Sequence, residues 1–315
     1  MEITAKMVKD LRETSGAGMM DCKKALAECN GDMDEAMDYL RKHGQAKAEK
    51  KAGRLAAEGL CRIAVKSDTL AAVVEVNSET DFVARNEDFQ AFVMQVAEQA
   101  VNSTTDDLEV FLGEGFHAAP GKTVKDALTE KIATIGENMN IRRFARVEAT
   151  EGLLATYLHG GGKIGVIIEA KSDVVNDKIK EALTNLAMQV AAMSPLHVSP
   201  DEISEEYKTK EKEILLAQAL IENEQLPEEK RKNQDIIEKM LIGRLNKQFK
   251  EICLLEQVYV KAEDGKQTVA QYLQAVAKEN GANLAIKRFV RFETGEGLEK
   301  REEDFAAEVA KQIAG

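Results

Sequence analysis

The chain has 315 residues, of which 44% are hydrophobic and 31% charged, and its formal net charge is −12 at pH 7. This length allows two or three small domains, and the composition is ordinary for a soluble globular protein. An acidic chain with 5% aromatic residues and no Trp is a poor binder of phosphate backbones and unstacked bases, so we expect no nucleic-acid partner.

Cysteine usage and the length of the apolar runs predict a cytoplasmic protein without a cofactor. The cysteines are Cys22, Cys29, Cys61 and Cys253. They show no CxxC spacing and no histidine at ligand distance, so we expect reduced core thiols and no metal. No stretch approaches the ~20 apolar residues of a membrane span, and the N-terminus has no signal core. We therefore expect no membrane partner.

Residues 1–55 are predicted to form three short helices and a linker. The third helix begins at the candidate cap Asp32 and is expected to end before Gly44, with a basic, Ala-rich linker over residues 45–58. Such a compact trio resembles a ubiquitin-associated-type (UBA-like) domain, a small scaffold that usually binds another protein.

The sequence contains an internal repeat. Residues 123–153 match residues 268–298 at 13 of 31 positions with a constant offset of 145, well beyond chance. A weaker sequence similarity at an offset of 94 aligns Glu75 with Glu169 and residues 94–97 with residues 188–191. Each copy reads strand, strand, helix, helix, strand. We therefore predict an α+β fold with a duplicated β-β-α-α-β core.

The elements of both copies are predicted from hydrophobic periodicity, and the strands show the alternation of antiparallel sheets with one solvated face. In the first copy, strands are expected at 60–66, 70–76 and 141–149 and helices at 83–101 and 123–134. In the second copy, strands are expected at 152–159, 164–170 and 286–293 and helices at 175–193 and 268–279. The resulting boundaries are core subdomain N at 56–150, core subdomain C at 151–200 and 251–298, and a C-terminal module at 299–315.

Residues 201–250 interrupt the second copy with a densely charged stretch. Apolar positions recur at helical spacing on both sides of Leu226-Pro227, which marks a turn between two helices. The pattern predicts an antiparallel, coiled-coil-like hairpin. A hairpin with so many polar residues gains little stability from the contact between its own two helices. We therefore expect it to dock on a partner.

Three glycine motifs resemble nucleotide or hydrolase loops but lack the context that those loops need. Residues 160–165 fit GxGxxG, yet a strand follows instead of a helix, which favours a hairpin turn. The HGGG run from His159 has no GxSxG nucleophile elbow elsewhere, and residues 115–123 have the wrong glycine spacing for a Walker A loop. With four histidines and no acid–base constellation, the chain is not predicted to be an enzyme.

The most informative segment is the acidic and polar turn at residues 75–85, with Phe82 near its end. In one interpretation Asp81 caps the following helix and Phe82 joins its buried face. In the other, the turn is an exposed contact. The residues aligned at the offset of 94 are Thr80-Asp81-Phe82 and Val174-Val175-Asn176. Only the first copy thus carries an acidic and aromatic turn.

Two stretches resemble the signatures of the bacterial elongation factor Ts family. Residues 11–26 are similar to its N-terminal signature, departing at Ser15, where the family usually has Thr, and residues 75–85 match its second signature without a mismatch. Three further segments are similar: Asn140-Ile141-Arg142-Arg143, Tyr157-Leu158-His159 and residues 304–310. The resemblance spans essentially the whole chain, although the hairpin matches poorly.

The resemblance implies a guanine-nucleotide exchange factor that binds elongation factor Tu in its GDP form and promotes GDP release. The residues implied at a tip that disturbs the Mg²⁺ and phosphate site are Thr80, Asp81, Phe82 and Val83, and the implied partner contacts are Arg12, Met19, Met20 and His159. Two adjacent methionines cannot both face inward on one helix, so at least one is expected to be exposed.

Two other functions stay open at this point. The first is a passive adaptor or chaperone that docks through the small helical domain and the hairpin without acting on nucleotide. The second is an enzyme with its own nucleotide site, which would require GDP binding by the isolated chain. The duplicated core also leaves homodimer formation open.

Overall fold

The computed structural model describes residues 3–299, so the C-terminal module predicted at 299–315 lies outside the described residues apart from its first one. The described residues form eleven α-helices and six strands, and the strands make two three-stranded antiparallel sheets. The mixed helix-and-sheet class predicted from the sequence is confirmed. None of these helices is long and apolar enough to cross a membrane.

Three helices at the N-terminus pack around a small core of their own. They are α1 (Ala5–Ser15), α2 (Met19–Glu28) and α3 (Met33–Lys51). Thr4 caps α1 by accepting a hydrogen bond from the Met7 amide, and Asp32 caps α3. The buried core members are Val8, Leu11, Cys22, Ala25, Leu26 and Ala36. The amphipathic spacing read from the sequence therefore produces the predicted trio of helices.

The first sheet has the strand order β1-β2-β3. Its strands are β1 (Glu58–Ser67), β2 (Leu70–Ser78) and β3 (Met139–Glu148). Between β2 and β3 lie α4 (Asp81–Ala84), α5 (Glu87–Asn102), α6 (Leu108–Gly113) and α7 (Val124–Ile135). These helices cover one face of the sheet, around the fully buried rings of Phe89, Phe92 and Phe111. Helix α6 was not predicted.

Helix α3 is longer than the sequence indicated. We expected a linker after Gly44, but α3 continues to Lys51. The segment after Gly44 is rich in Ala, Lys and Glu, which favour helix. Gly44 itself is buried against α7, where a Cβ would lie 3.3 Å from the Cβ of Ala133. Close packing on α7 therefore outweighs the low helix propensity of glycine.

The second sheet, of strand order β4-β5-β6, has the same arrangement. Its strands are β4 (Leu153–His159), β5 (Ile164–Lys171) and β6 (Ala285–Glu293), and the helices between β5 and β6 are α8 (Asp177–Met193), α9 (Glu205–Glu224), α10 (Gln234–Ile252) and α11 (Val269–Asn280). Helices α8 and α11 cover one face of this sheet. Helices α9 and α10 form the hairpin predicted for 201–250.

Both faces of each sheet are covered, so the predicted solvated face is wrong. One face of each sheet lies under its helices, and the other packs against the second sheet. The buried residues between the sheets are Ala71, Val73, Val147, Ala149, Leu154 and Ile167. The alternation of polar and apolar residues that predicts a solvated face belongs to the edge strand β3. Its polar residues Arg146 and Glu148 form an ion pair at 2.8 Å. The central strand β2 is buried along almost its whole length.

Helices α5 and α8 bury the same pattern of positions, 90 residues apart. The buried residues of α5 are Phe89, Phe92, Val93, Val96, Ala97, Gln99, Ala100 and Val101, and those of α8 are Ile179, Ala182, Leu183, Leu186, Ala187, Gln189, Val190 and Ala191. Asn86 and Asn176 cap the two helices at the same spacing. The pairing of 94–97 with 188–191 is therefore wrong by about one helical turn.

The offset of 94 does hold in the strands. The register of β2 against β3 shifts after Glu75, and that of β5 against β6 shifts after Glu169. A spacing of 94 residues in the strands and 90 in the helices means that the first unit has four extra residues between its second strand and its long helix. Helix α4 lies there.

Gly59→Ala is expected to lower the free energy of unfolding by more than about 2 kcal/mol. Gly59 has φ +123°, and a Cβ at this position would lie 2.1 Å from the carbonyl oxygen of Val76. The matched control is Gly161→Ala, because Gly161 also has positive φ (+68°) but open space around it. Urea unfolding of both variants measures the difference, and equal midpoints would contradict the importance of this close approach.

Candidate functional site

A single helical turn, α4, carries the predicted tip, residues 80–83. Thr80 caps this turn, because its Oγ1 accepts a hydrogen bond from the Val83 amide at 3.4 Å. Phe82 is 79% exposed, whereas Val83 and Ala84 are buried in the core of the first unit. The inner side of the turn is thus anchored, and the aromatic ring projects into solvent.

The cap-and-core interpretation of Asp81 and Phe82 is wrong. Thr80 caps α4 and Asn86 caps α5, so Asp81 caps neither helix. Because α5 begins at Glu87 rather than at residue 83, Phe82 does not continue the buried face of that helix. The Asp81 carboxylate instead accepts a hydrogen bond from Arg85 Nη2 at 2.8 Å, in an exposed pair that contributes little stability.

Glu137, in the turn between α7 and β3, holds the start of the tip. Its Oε1 accepts a hydrogen bond from Thr80 Oγ1 at 2.7 Å, and its Oε2 accepts one from the Thr80 amide at 3.0 Å. A second brace lies beside it, where the Glu79 carboxylate accepts from the Asn138 amide at 2.5 Å. The base of the tip is therefore tied to the neighbouring turn by two carboxylates.

The end of α3 reaches the same place. Lys51 Nζ donates to the carbonyl oxygen of Gly136 at 2.5 Å, and the carbonyl oxygen of Arg54 accepts from Asn138 Nδ2 at 2.7 Å. The Arg54 guanidinium lies 3.5 Å from the Glu79 carboxylate. The N-terminal helices and the tip thus share one set of polar contacts.

Glu75 anchors the strand that leads to the tip. Its carboxylate is fully buried and accepts hydrogen bonds from Arg142 Nη1 at 3.1 Å and from Arg143 Nε at 2.5 Å. It also accepts from Asn77 Nδ2 at 3.1 Å and from the Gly295 amide at 2.8 Å. Burial alone would raise the pKa of Glu75, but these donors outweigh it and hold the pKa below its ordinary value.

The predicted contacts of the N-terminal helices lie on the surface. Met19 and Met20 are the first two residues of α2, and they are 56% and 76% exposed. Both methionines are therefore outside the core, which goes further than the prediction that at least one would be. Arg12 is exposed on α1.

His159 ends β4 and is exposed, with its Nδ1 3.1 Å from the hydroxyl of Tyr157. The glycines after it form the turn between β4 and β5, as predicted, and not a phosphate-binding loop. Within this turn the carbonyl oxygen of Gly162 accepts from the Cys61 amide of β1 at 2.7 Å. The hairpin that presents His159 is thereby fixed to the first sheet.

The structure places the predicted residues on four elements: the tip on α4 and its cap, the methionines on α2, Arg12 on α1, and His159 at the end of β4. Sequence reasoning missed Glu137 and Arg54, which hold the base of the tip. The repeat does contain a signal for Glu137. It aligns Glu137 with Ala282 and Thr80 with Val174, so two polar residues of the first copy have apolar counterparts in the second. Both polar residues are confined to the first copy.

No group of three or more His, Cys, Asp or Glu side chains is placed to hold a metal ion anywhere in residues 3–299. All four cysteines lie in this range and are free thiols. Cys61 is buried between the sheets, and burial raises the pKa of its thiol to about 11. Phe82, with the charged pair of Asp81 and Arg85 beside it, is the exposed part of the tip.

The exposed ring of Phe82 stands on a braced turn, where it is available for contact with another protein. The family model described as Elongation factor TS matches residues 79–296. Relatives named Elongation factor Ts, from Clostridioides difficile (strain 630) and Clostridium botulinum (strain Eklund 17B / Type B), are 51% and 48% identical over 312 residues, which is 99% of this chain and of each relative. The chain belongs to the elongation factor Ts family and, with it, to the elongation factors of protein biosynthesis.

A relative of the same name from Clostridium perfringens (strain 13 / Type A) is 49% identical over 310 residues, covering 98% of both chains. The resemblance inferred from the two signatures is confirmed. These matches cover both signatures and also the hairpin, whose sequence alone resembles the family poorly.

Proposed function

We propose that this protein is a guanine-nucleotide exchange factor that binds elongation factor Tu in its GDP form and promotes GDP release, after which GTP binds. The observation that carries the proposal is the tip. Phe82 is 79% exposed on a turn whose base is held by Glu137 and whose inner side is buried. An apolar ring held rigidly in water is suited to entering a pocket of a partner.

The release step needs no covalent chemistry. A GTPase holds GDP through backbone amides, a P-loop lysine and a bridging Mg²⁺. Mg²⁺ tolerates little departure from octahedral geometry, so a small displacement of its surroundings weakens its binding. In our proposal Phe82 acts as the wedge, Asp81 rearranges the polar contacts near the metal, and Thr80 and Val83 hold the turn.

The remaining site residues are proposed to dock the partner. Arg12, Met19 and Met20 would contact its GTPase domain, and His159 would contact the same partner from the β4–β5 turn. Thermodynamic linkage makes the action reversible: a factor that weakens GDP binding is itself bound more weakly when GDP is present. The complex is therefore self-limiting.

The finer organisation of the fold is part of the proposal. We propose a UBA-like domain and linker at 1–55, core subdomain N at 56–150, core subdomain C at 151–200 and 251–298, the hairpin at 201–250 and a C-terminal module at 299–315. The equal strand order and the equal buried patterns of α5 and α8 support an origin of the core by duplication. The hairpin exposes apolar side chains such as Ile221 and Ile242, which supports docking.

The protein is proposed to act in the cytoplasm, without nucleic acid, membrane or cofactor, and not as an enzyme. The alternative is a passive protein-binding adaptor or chaperone without action on nucleotide. Self-association stays compatible with either function. Met19 and Met20 would serve docking equally well in an adaptor, so only the tip separates the two functions.

The test is the release of fluorescent GDP from elongation factor Tu, with and without this protein. We expect acceleration that saturates with the concentration of the factor. Binding to elongation factor Tu without faster GDP release would favour the alternative function of a passive adaptor. Binding of GDP by the isolated chain would instead indicate a nucleotide site of its own.

A further inference from the structure

We propose that Glu137 is the positioning residue of the tip, which fixes the orientation in which α4 presents Phe82. The inference rests on the proposed exchange function. It assigns a role in that function to a residue that lies outside both family-like signatures, residues 11–26 and 75–85. Glu137 would touch neither nucleotide nor metal and would act through Thr80.

The geometry is that of a clamp. Both carboxylate oxygens of Glu137 accept hydrogen bonds from the same residue, one from the hydroxyl of Thr80 at 2.7 Å and one from its amide at 3.0 Å. The same hydroxyl accepts from the Val83 amide and so caps α4. Glu137 therefore fixes the rotamer of the residue that starts the turn, and it does so with charge-assisted bonds.

The second unit shows which contacts serve architecture alone. There the Asp173 carboxylate accepts from the amide of Asn283 at 2.7 Å and from its Nδ2 at 2.6 Å. This brace corresponds to the one between Glu79 and Asn138 in the first unit. Because both units have it, this brace belongs to the common way of joining the second strand to the turn before the third.

The clamp, in contrast, exists only in the first unit. The positions that correspond to Thr80 and Glu137 are Val174 and Ala282, and both are apolar and pack against the core of the second unit. The second unit also lacks the four extra residues that form α4. The polar pair Thr80 and Glu137 thus occurs in the unit that has α4, and an apolar pair replaces it in the unit that lacks this helix. We infer that the polar pair supports α4.

A helix of one turn cannot persist without outside support, since nucleation fixes several dihedral angles for a single hydrogen bond. Val83 and Ala84 anchor its inner side, and Glu137 anchors its start. Without the clamp, the ring of Phe82 would have to be ordered during the encounter with the partner, at a cost in entropy. The clamp thus removes that cost beforehand.

The experiment compares Glu137→Ala, Phe82→Ala and the double variant of the full chain in release of fluorescent GDP from elongation factor Tu. We expect Glu137→Ala to lower the maximal rate about tenfold, the loss of roughly one charge-assisted hydrogen bond. The half-saturating concentration should change less than about twofold, because docking through α1 and α2 is untouched. The double variant should be no slower than Phe82→Ala alone, since both act through the same ring.

Three further variants keep the test informative. Glu137→Gln retains an acceptor for the Thr80 amide and is expected to fall between the wild type and Glu137→Ala. Asp173→Ala removes the brace to Asn283, the counterpart of the brace between Glu79 and Asn138 and not of the clamp, and this variant is expected to release GDP at the wild-type rate. If Glu137→Ala does not fold, Thr80→Val replaces it, because valine is the residue that the second unit has at this position.

The outcomes separate the inference from the proposed function. No acceleration by the wild type would overturn the exchange function itself. Acceleration by the wild type that Glu137→Ala retains in full would overturn only the role of Glu137. Losses that add in the double variant would show that Glu137 acts elsewhere than through Phe82, and this too would overturn the inference.

Discussion

Phe82→Ala is expected to slow GDP release from elongation factor Tu by about 30-fold at a given concentration of the factor. The loss of a buried aromatic at the centre of a contact typically costs about 2 kcal/mol or more, and 1.4 kcal/mol corresponds to tenfold. Phe82 is 79% exposed in the free protein, so its removal costs the fold nothing. The measurement is release of fluorescent GDP at several concentrations of each variant, with binding of the factor followed separately.

A matched control exists in the second unit. Val175 lies in the corresponding connection between strand and helix and is 51% exposed. Val175→Ala is expected to leave the rate unchanged. A Phe82→Ala variant that binds elongation factor Tu and releases GDP as fast as the wild type would contradict the role of the ring as a wedge. Equal losses in both variants would point to a general effect of exposed apolar side chains.

Glu75→Gln is expected to lower the free energy of unfolding by about 3–5 kcal/mol, the usual result of breaking a buried ion pair from one side. The variant leaves Arg142 and Arg143 beside a neutral amide, and the new NH₂ group faces guanidinium groups that are themselves donors. Glu169→Gln is expected to behave similarly, because Lys287 and Arg288 hold that buried carboxylate at 2.8 and 2.6 Å. Urea unfolding of the variants measures both losses.

The control for this substitution is Glu148→Gln. Glu148 is a 57% exposed carboxylate paired with Arg146 on the edge strand β3, and exposed pairs contribute about 1 kcal/mol or less. A midpoint for Glu75→Gln as close to the wild type as that of Glu148→Gln would contradict the structural role of the buried charge.

A fall in pH is expected to remove the contribution of the Glu75 carboxylate to the free energy of unfolding. The pKa of Glu75 in the folded protein is held below its value in the unfolded chain, where it is about 4.3. The stabilisation is therefore complete above the unfolded pKa and is lost as the pH falls through the folded one. The difference in stability between the wild type and Glu75→Gln is expected to shrink from pH 7 to pH 3. A difference that stays constant over this range would show that the carboxylate charge is not its source.

Much of the fold was accessible from the sequence because periodicity and capping are local signals. The capping box at Thr123 and the one at Thr268 both begin helices where the repeat predicted them. The two strands on either side of the glycine turn after His159 pair as expected. These features depend on a few neighbouring residues, and their outcome does not require knowledge of the rest of the chain.

The features that sequence reasoning missed depend on contacts between distant segments. The sequence predicts a helix end at Gly44, and only the approach of α7 makes this glycine an interior residue of α3. The alternation of β3 predicts a solvated sheet face. The second sheet covers this face, and the sequence of β3 alone contains no information about that contact.

The tip was located correctly, but not its supports. The signature segment contains Thr80 and Phe82, whereas Glu137 lies 57 residues after Thr80 in the chain. Periodicity extended α5 backwards over Phe82, although Asn86 followed by Glu87 and Asp88 is a local signal for a helix start that the sequence analysis did not use. The repeat held the missing information, in the four extra residues and in the polar pair that one copy has and the other lacks.

The path of α3 has a consequence for how the protein would meet its proposed partner. Lys47, in the last turns of this helix, lies 2.8 Å from Asp21 in the first turn of α2, and Lys51 at its end contacts the turn beside the tip. One continuous helix therefore joins the surface that carries Met19 and Met20 to the base of the tip. In the proposed exchange function, a partner would have to present its two contact surfaces at the spacing that this helix sets, because a helix and not a flexible linker joins them.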